Sequence, residues 1–345
     1  MLAGALRAAG PPGLRRRRAQ PLPSPEPCSR RYYGHGDYYV VGGSGRVLGA
    51  APVSLRAALQ ARGSELVLSL SDDLEAARAA MADADVAIAC AGATAGESSD
   101  RDSLELDQHA FLVSMAEHAA GGATPLVVLA YSPGSLLTDP WAAGASAVLS
   151  MFFSGQETGH AAADVLYGEV NPSGRLPLTY LNSEADGTPI CTTAAAGCNL
   201  TEGLSVGWRG LHGAPVAYEF GFGLSYTTFG YSWASAPAAV GAADSLRITL
   251  SVRVQNTGGR AGREVVQLYL VYPAAAAEPP LVLRGFERTG VLAAGGHQDV
   301  AFELSARQLS TWRPGEGWVR EVGTFDVVVG ASSRDERLRA SVSVA

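Results

Sequence analysis

The chain has 345 residues, 47% of them hydrophobic and 17% charged, which excludes a disordered protein and gives length for about two domains. Thirty-three acids against 26 basic residues leave a net charge of −7, which argues against a nucleic-acid partner. Every basic residue is arginine. No apolar run reaches the roughly 18 residues needed to cross a bilayer, so no membrane partner is expected.

The charge is uneven. Residues 1–31 carry seven arginines and one acid, a net of +6 that leaves −13 for the rest. With Pro11-Pro12, Arg15 to Arg18 and Pro21-Leu22-Pro23, residues 1–35 read as a disordered leader. Arginine-rich, acid-poor content suits an organelle transit peptide, whereas Arg7 interrupts the apolar stretch a secretory signal needs. A misplaced start codon or a truncated gene model would leave a similar segment.

Tyr38 to Val41 reads as a strand, followed by Gly42-Gly43-Ser44-Gly45-Arg46. That glycine run fails as a phosphate loop, because the chain has no lysine and the third glycine of a dinucleotide fingerprint is out of place. A close backbone approach to a neighbouring domain or ligand is the better reading. Ser54 to Ala61 predicts a helix, Glu65 to Leu70 a strand, and Asp73 to Asp83 a helix with Leu74, Ala77 and Met81 on one face. Asp85 to Gly92 is an apolar run ending in glycine and reads as a buried parallel strand. The small-residue loop after it carries Glu97. Ligands sit at the carboxyl ends of such strands, so Glu97 is a candidate general acid or base, against a solvated loop carboxylate or a helix cap.

A helix over Asp107 to Ala120 follows from the spacing of Phe111, Leu112, Met115, Ala116 and Ala119. Pro125 to Ala130 and Ala147 to Phe153 predict two more buried strands, with a helix over His160 to Tyr167. Strand and helix alternate, which implies an α/β domain with a mostly parallel sheet covered on both faces. Residues 182–233 lack a clear period and predict a long ordered connector. Beyond it the period becomes two. Ile248, Leu250, Val252 and Val254 alternate with polar residues, and Val265 to Tyr272, Val282 to Phe286, Asp299 to Leu304 and Thr324 to Val329 read as further strands. Short strands with glycine-rich turns suggest an all-β immunoglobulin or fibronectin III-like sandwich.

Of the four cysteines, Cys90 lies in an apolar strand and reads as a small buried hydrophobe, while Cys191 and Cys198 are placed to pair in an oxidising compartment. The sequon Asn199-Leu200-Thr201 beside them points the same way, towards a secreted protein. The six histidines are scattered without ligand spacing, so no metal is expected, and His160 is read as packing at a helix start. Gly203-Leu204-Ser205-Val206-Gly207 matches a nucleophile elbow in letters only, because Trp208-Arg209-Gly210 follows where a helix is required.

Three blocks carry a resemblance. Phe153-Ser154-Gly155-Gln156-Glu157-Thr158-Gly159-His160, continued by Ala163 to Pro177, resembles glycoside hydrolase family 3. So does Glu219-Phe220-Gly221-Phe222-Gly223-Leu224-Ser225-Tyr226-Thr227-Thr228-Phe229, and Asn256-Thr257-Gly258 through Tyr269 is similar to the fibronectin III-like domain that ends many members. The resemblance covers roughly residues 36–345 and implies a family α/β domain over 36–181, the connector over 182–233 and a fibronectin III-like domain over 234–345.

It also assigns roles. The family's acid/base carboxylate lies on a loop reading Gly-Glu-Gly-x-Asp-Arg, and Gly96-Glu97-Ser98-Ser99-Asp100-Arg101 matches it with serine for the second glycine. The resemblance therefore makes Glu97 the catalytic acid/base, has Asp100 and Arg101 brace the loop as a local ion pair, and sets Gly43, Ser44 and Gly45 beside the sugar. Trp208-Arg209 stands where members often carry Tyr-Arg. The implied substrates are β-linked glucosides or xylosides, with no cofactor.

A retaining glycosidase needs two carboxyl groups about 5–5.5 Å apart. In this family the second is an aspartate on a TIM barrel, which would precede residue 36, where only the Arg/Pro-rich segment stands. One placed acid supplies about 10²–10⁴-fold, and enzymes reach at least about 10⁶-fold. The expected function is the C-terminal part of a retaining β-glycosidase whose barrel was lost by truncation or lies on another chain. The alternative is a non-catalytic carbohydrate-binding or adhesion module.

Overall fold

The computed structural model describes residues 42, 44, 45, 47, 49–82, 84–97, 101–189, 201–241 and 245–345. They fall into two units, one of residues up to 170 with 181–184, the other of 171–180 and 185–345.

The first unit is built on a parallel sheet in the order β1 (Ala87–Gly92), β2 (Leu126–Tyr131), β3 (Ala147–Ser150). Cys90 pairs with Leu129 and Leu129 with Leu149, so the strands end at one edge. The central strand β2 is buried at all six positions, which explains its unbroken apolar sequence. Among the described residues four helices accompany the sheet: α1 (Leu55–Ala61), α2 (Leu74–Met81), α3 (His109–Ala120) and α4 (Thr158–Leu166). Two start on a side-chain cap, Ser54 Oγ accepting from Ala57 N (3.2 Å) and Asp73 Oδ1 from Ala76 N (2.9 Å). α3 buries Leu112, Met115 and Ala116, three of the five positions its spacing picks out.

Three expectations change here. Residues 65–70 form no strand with any of the described residues, and Val67 is 65% exposed. Apolar, β-branched letters signal a strand, but a strand exists only where a neighbour offers a free edge. The third strand stops at Ser150 because Phe152 turns into the left-handed region (φ 48°) and breaks the ladder. Cys90 is not a simple small hydrophobe; it is disulfide-bonded, and its partner lies outside the described residues, as do Cys191 and Cys198.

The second unit is an antiparallel sandwich. One sheet has the order β12 (Glu336–Val344), β11 (Gly323–Gly330), β6 (Val265–Val271), β7 (Val282–Arg288); the other is β4 (Phe229–Val240), β5 (Arg247–Asn256), β8 (His297–Ser305). A separate hairpin joins β9 (Ser310–Arg313) and β10 (Gly317–Arg320), where Trp312 and Trp318 face each other across the pair with ring centroids 5.5 Å apart. The core lies between the sheets: Ile248, Leu250, Val252 and Val254 from β5 join Leu268 from β6 and Phe325, Val327 and Val329 from β11. Residues 171–180 and 201–228 belong to this unit as well. Arg175 makes a salt bridge with Glu264, side chains 8% and 5% exposed, and Asn171 donates to Ala261 O (3.0 Å). No helix among the described residues is long and apolar enough to cross a membrane.

Candidate active site

The carboxyl edge of the parallel sheet is where the chemistry-bearing loops emerge, and hydrogen bonds tie down the start of the loop after β1. Gly92 N donates to Gln108 Oε1 (3.0 Å) while Asp107 N donates to Gly92 O (2.8 Å), tying the strand end to the start of α3. Ala93 N donates to Tyr131 O (2.8 Å). Thr94 gives both its donors to Asp107, N to Oδ1 (3.1 Å) and Oγ1 to Oδ2 (2.6 Å). The chain leaving β1 is therefore fixed before it reaches Glu97.

Glu97 itself is exposed. Its loop is met from the other side by the glycine-rich stretch: Gly42 bridges Gly96 in parallel register, Gly42 N donating to Ala95 O (3.3 Å) and Glu97 N to Gly42 O (3.4 Å). Ser44 then donates to Glu97 Oε2 from its backbone N–H (2.7 Å) and from its hydroxyl. The hydroxyl bond, with the backbone bond behind it, holds the Glu97 carboxyl below its ordinary pKa. Segments 53 residues apart in sequence thus meet at one carboxylate oxygen.

The remaining site candidates divide. Gly45 is a turn residue in the same loop, and Gly43 and Asp100 lie outside the described residues. Arg101 donates from its guanidinium to Ser135 O (3.0 Å), which joins the Glu97 loop to the turn after β2. Gly203 to Gly207 runs into a three-residue 3-10 helix, Gly207–Arg209, rather than an α-helix.

The loop after β3 brings features that the sequence reading missed. Phe152 adopts a left-handed backbone at this edge (φ 48°), a conformation costing a non-glycine roughly 1–3 kcal/mol and concentrated at functional sites. Nothing in the letters of a phenylalanine signals it. Glu157 and His160 pair at 2.7 Å, both half exposed, and the imidazole with the Gln156 amide draws the Glu157 carboxyl below its usual range. The sequence predicts His160 as packing at a helix start. It does stand in the first turn of α4, but it engages a carboxylate there. The Thr94–Asp107 and Gly92–Gln108 clamps were also missed, since they join residues 13 and 16 apart through side-chain hydrogen bonds that leave no periodic trace.

The model of the glycosyl hydrolase family 3 C-terminal domain matches residues 21–226, more than half the chain, and the fibronectin type III-like domain matches residues 264–333. The chain belongs to glycosyl hydrolase family 3. A probable beta-glucosidase D of Aspergillus niger is 38% identical over 281 residues, covering 75% of this family 3 chain and 36% of the relative. Beta-glucosidase D2-BGL of Chaetomella raphigera superposes with a TM-score of 0.81 at 32% identity, over 90% of this chain and 48% of the other. Beta-glucosidase 3B of Thermotoga neapolitana, solved in complex with α-D-glucose, gives 0.78 at 28% identity over 89% and 48%. The family 3 chain therefore spans less than half the length of each of these relatives. Its α/β unit with a parallel sheet and its fibronectin III-like sandwich are the architecture expected from the sequence.

Proposed function

We propose that these residues form the C-terminal part of a retaining β-glucosidase in which Glu97 is the acid/base. The supporting observation is the convergence on one carboxylate: a loop at the carboxyl edge of a parallel sheet, in the region matched by the family 3 model, with two donors from Ser44 aimed at it. In the first step Glu97 gives its proton to the glycosidic oxygen as the sugar passes to a carboxylate nucleophile. In the second it takes a proton from water, which releases the sugar. The nucleophile comes from the barrel, in the same polypeptide or on another chain. Gly43, Ser44 and Gly45 border the sugar, and Asp100 with Arg101 braces the loop. β-Glucosides are the favoured substrates, given the beta-glucosidase relatives and the glucose bound to the Thermotoga protein.

The electrostatics suit half of this cycle as they stand. A carboxyl whose pKa lies below the ordinary 4.5 is ionised at pH 5–7, ready as a base but short of a proton as an acid. A second carboxylate at about 5–5.5 Å adds the negative charge that raises it. The same depression stabilises the folded chain above the ordinary glutamate pKa, and the contribution is lost as pH falls through the lowered value.

Purified 1–345 should show no turnover of aryl β-glucosides. Clear turnover abolished by Glu97→Gln would mean that the second carboxylate is already present. In a protein carrying both halves, Glu97→Gln should lower kcat/KM for poor leaving groups by about 10²–10⁴-fold. Azide, which needs no general base, should restore the second step. Unchanged kcat/KM removes Glu97 from the mechanism.

A further inference from the structure

We infer that Ser44 is the positioning residue of this site: by donating twice to Oε2 of Glu97 it reserves Oε1 as the atom that gives and takes the catalytic proton. The inference rests on the proposed acid/base role of Glu97. Its geometry is independent of that role.

Two donors meet at Oε2, the Ser44 backbone N–H at 2.7 Å and the Ser44 hydroxyl. Among the described residues Oε1 has no hydrogen-bond partner. An oxygen that carries the proton keeps a single in-plane lone pair and accepts more weakly, so a proton on Oε2 could not be combined with both Ser44 donors at full strength. A proton placed on Oε1 disturbs nothing. The two oxygens of an exposed carboxylate are otherwise interchangeable by a half-turn about the last side-chain bond, and Ser44 removes that equivalence. Where a proton is transferred to a glycosidic oxygen, presenting it from one fixed atom is the difference between an oriented acid and a rotating one.

The backbone makes Ser44 suited to this. The Gly42–Gly96 bridge sets the glycine-rich stretch parallel to the Glu97 loop, so the amide two residues on points at the carboxylate. Serine adds a second donor on a side chain short enough to reach the same oxygen. A hydroxyl committed to Glu97 is not available to donate to a sugar, so Ser44 acts on substrate through the carboxylate.

The test uses the 345-residue chain with 13C-labelled glutamate, the Glu97 carboxyl resonance being assigned by its absence from Glu97→Gln. The wild-type resonance should titrate below an ordinary glutamate. Ser44→Ala keeps the amide donor and loses the hydroxyl, so the midpoint should move up. Ser44→Thr keeps both donors and should restore it. An Ala variant that titrates as the wild type does, or a Thr variant that shifts as Ala does, overturns the inference. Neither measurement needs turnover. In a protein carrying both halves, Ser44→Ala should displace the pH–kcat/KM profile upward and lower kcat more than it alters KM. A shifted titration with an unshifted profile would uphold the positioning of Glu97 and remove its acid/base role.

Discussion

Arg175 and Glu264 show how far a single pair can govern the second unit. Their side chains are 8% and 5% exposed, and Glu264 also accepts from Val265 N (2.6 Å). Formation of such a pair adds little net stability, because desolvation offsets attraction, whereas removing one partner leaves a buried charge with nothing opposite it. Glu264→Ala should therefore cost about 3–5 kcal/mol, seen as a lower midpoint in urea. Glu264→Gln, which keeps an acceptor for Arg175 and Val265, should cost less. Loss below about 1 kcal/mol for the alanine variant would mean that water already reaches the guanidinium. Neither partner advertises this in sequence. Arg175 sits in a Pro-Ser-Gly-Arg turn and Glu264 before an apolar strand, positions that read as surface charge. Glu97 was legible only because its neighbours Gly96, Asp100 and Arg101 complete a recognisable order, while the serine that holds it stood 53 residues away.

At the scale of elements, the close packing of α1 against α4 rests on Gly159. It lies in the first turn of α4, its N–H donates to Val53 O (3.0 Å), and a β-carbon added there would fall 2.4 Å from the backbone of Ser54. Backbone cannot swing aside as a side-chain tip can, so Gly159→Ala must push the two helices apart, at about 1–3 kcal/mol. Gly174, in the same recognisable stretch, has open space around it and no left-handed backbone, and Gly174→Ala should be tolerated within about 0.5 kcal/mol. Thermal melts of the two variants separate the cases, and equal losses would refute the packing argument. Elements with a strong period were readable in advance: β5 alternates buried and outward positions, and Ile248, Leu250, Val252 and Val254 are all in the core. β4 escaped because only its first half, Phe229, Tyr231 and Trp233, alternates toward the core, while Ala234 to Val240 is mostly outward-facing Ala, Ser and Pro on an edge strand with two register shifts. The stretch 65–70 failed the opposite way, carrying the letters of a strand without a ladder partner among the described residues.

At the scale of the molecule, the question is where the second unit begins. Sequence composition suggests 234, after an aperiodic connector, whereas the described residues of 171–180, 185–189 and 201–241 group with the sandwich. A chain cut at 234 would lose Phe229, 7% exposed in the core, together with Tyr231 and Trp233 packed against it. It would also lose Arg175, leaving Glu264 buried without its cation, and Phe220, whose carbonyl accepts from Ser333 N (3.0 Å). Trp208, stacked on Phe220 with ring centroids 4.9 Å apart and set edge-on to Tyr269, would go with them. Each loss removes buried apolar area or strands a polar group, and a domain of this size has only about 5–15 kcal/mol to lose. A fragment 171–345 should therefore unfold in one cooperative transition, while 234–345 should melt far lower or give no folded amide spectrum. Circular dichroism melts and amide NMR spectra of the two fragments test this directly. If 234–345 matched the longer fragment in stability, the connector would be an ordered passenger, and the sandwich core would close on strands β5 to β12 alone.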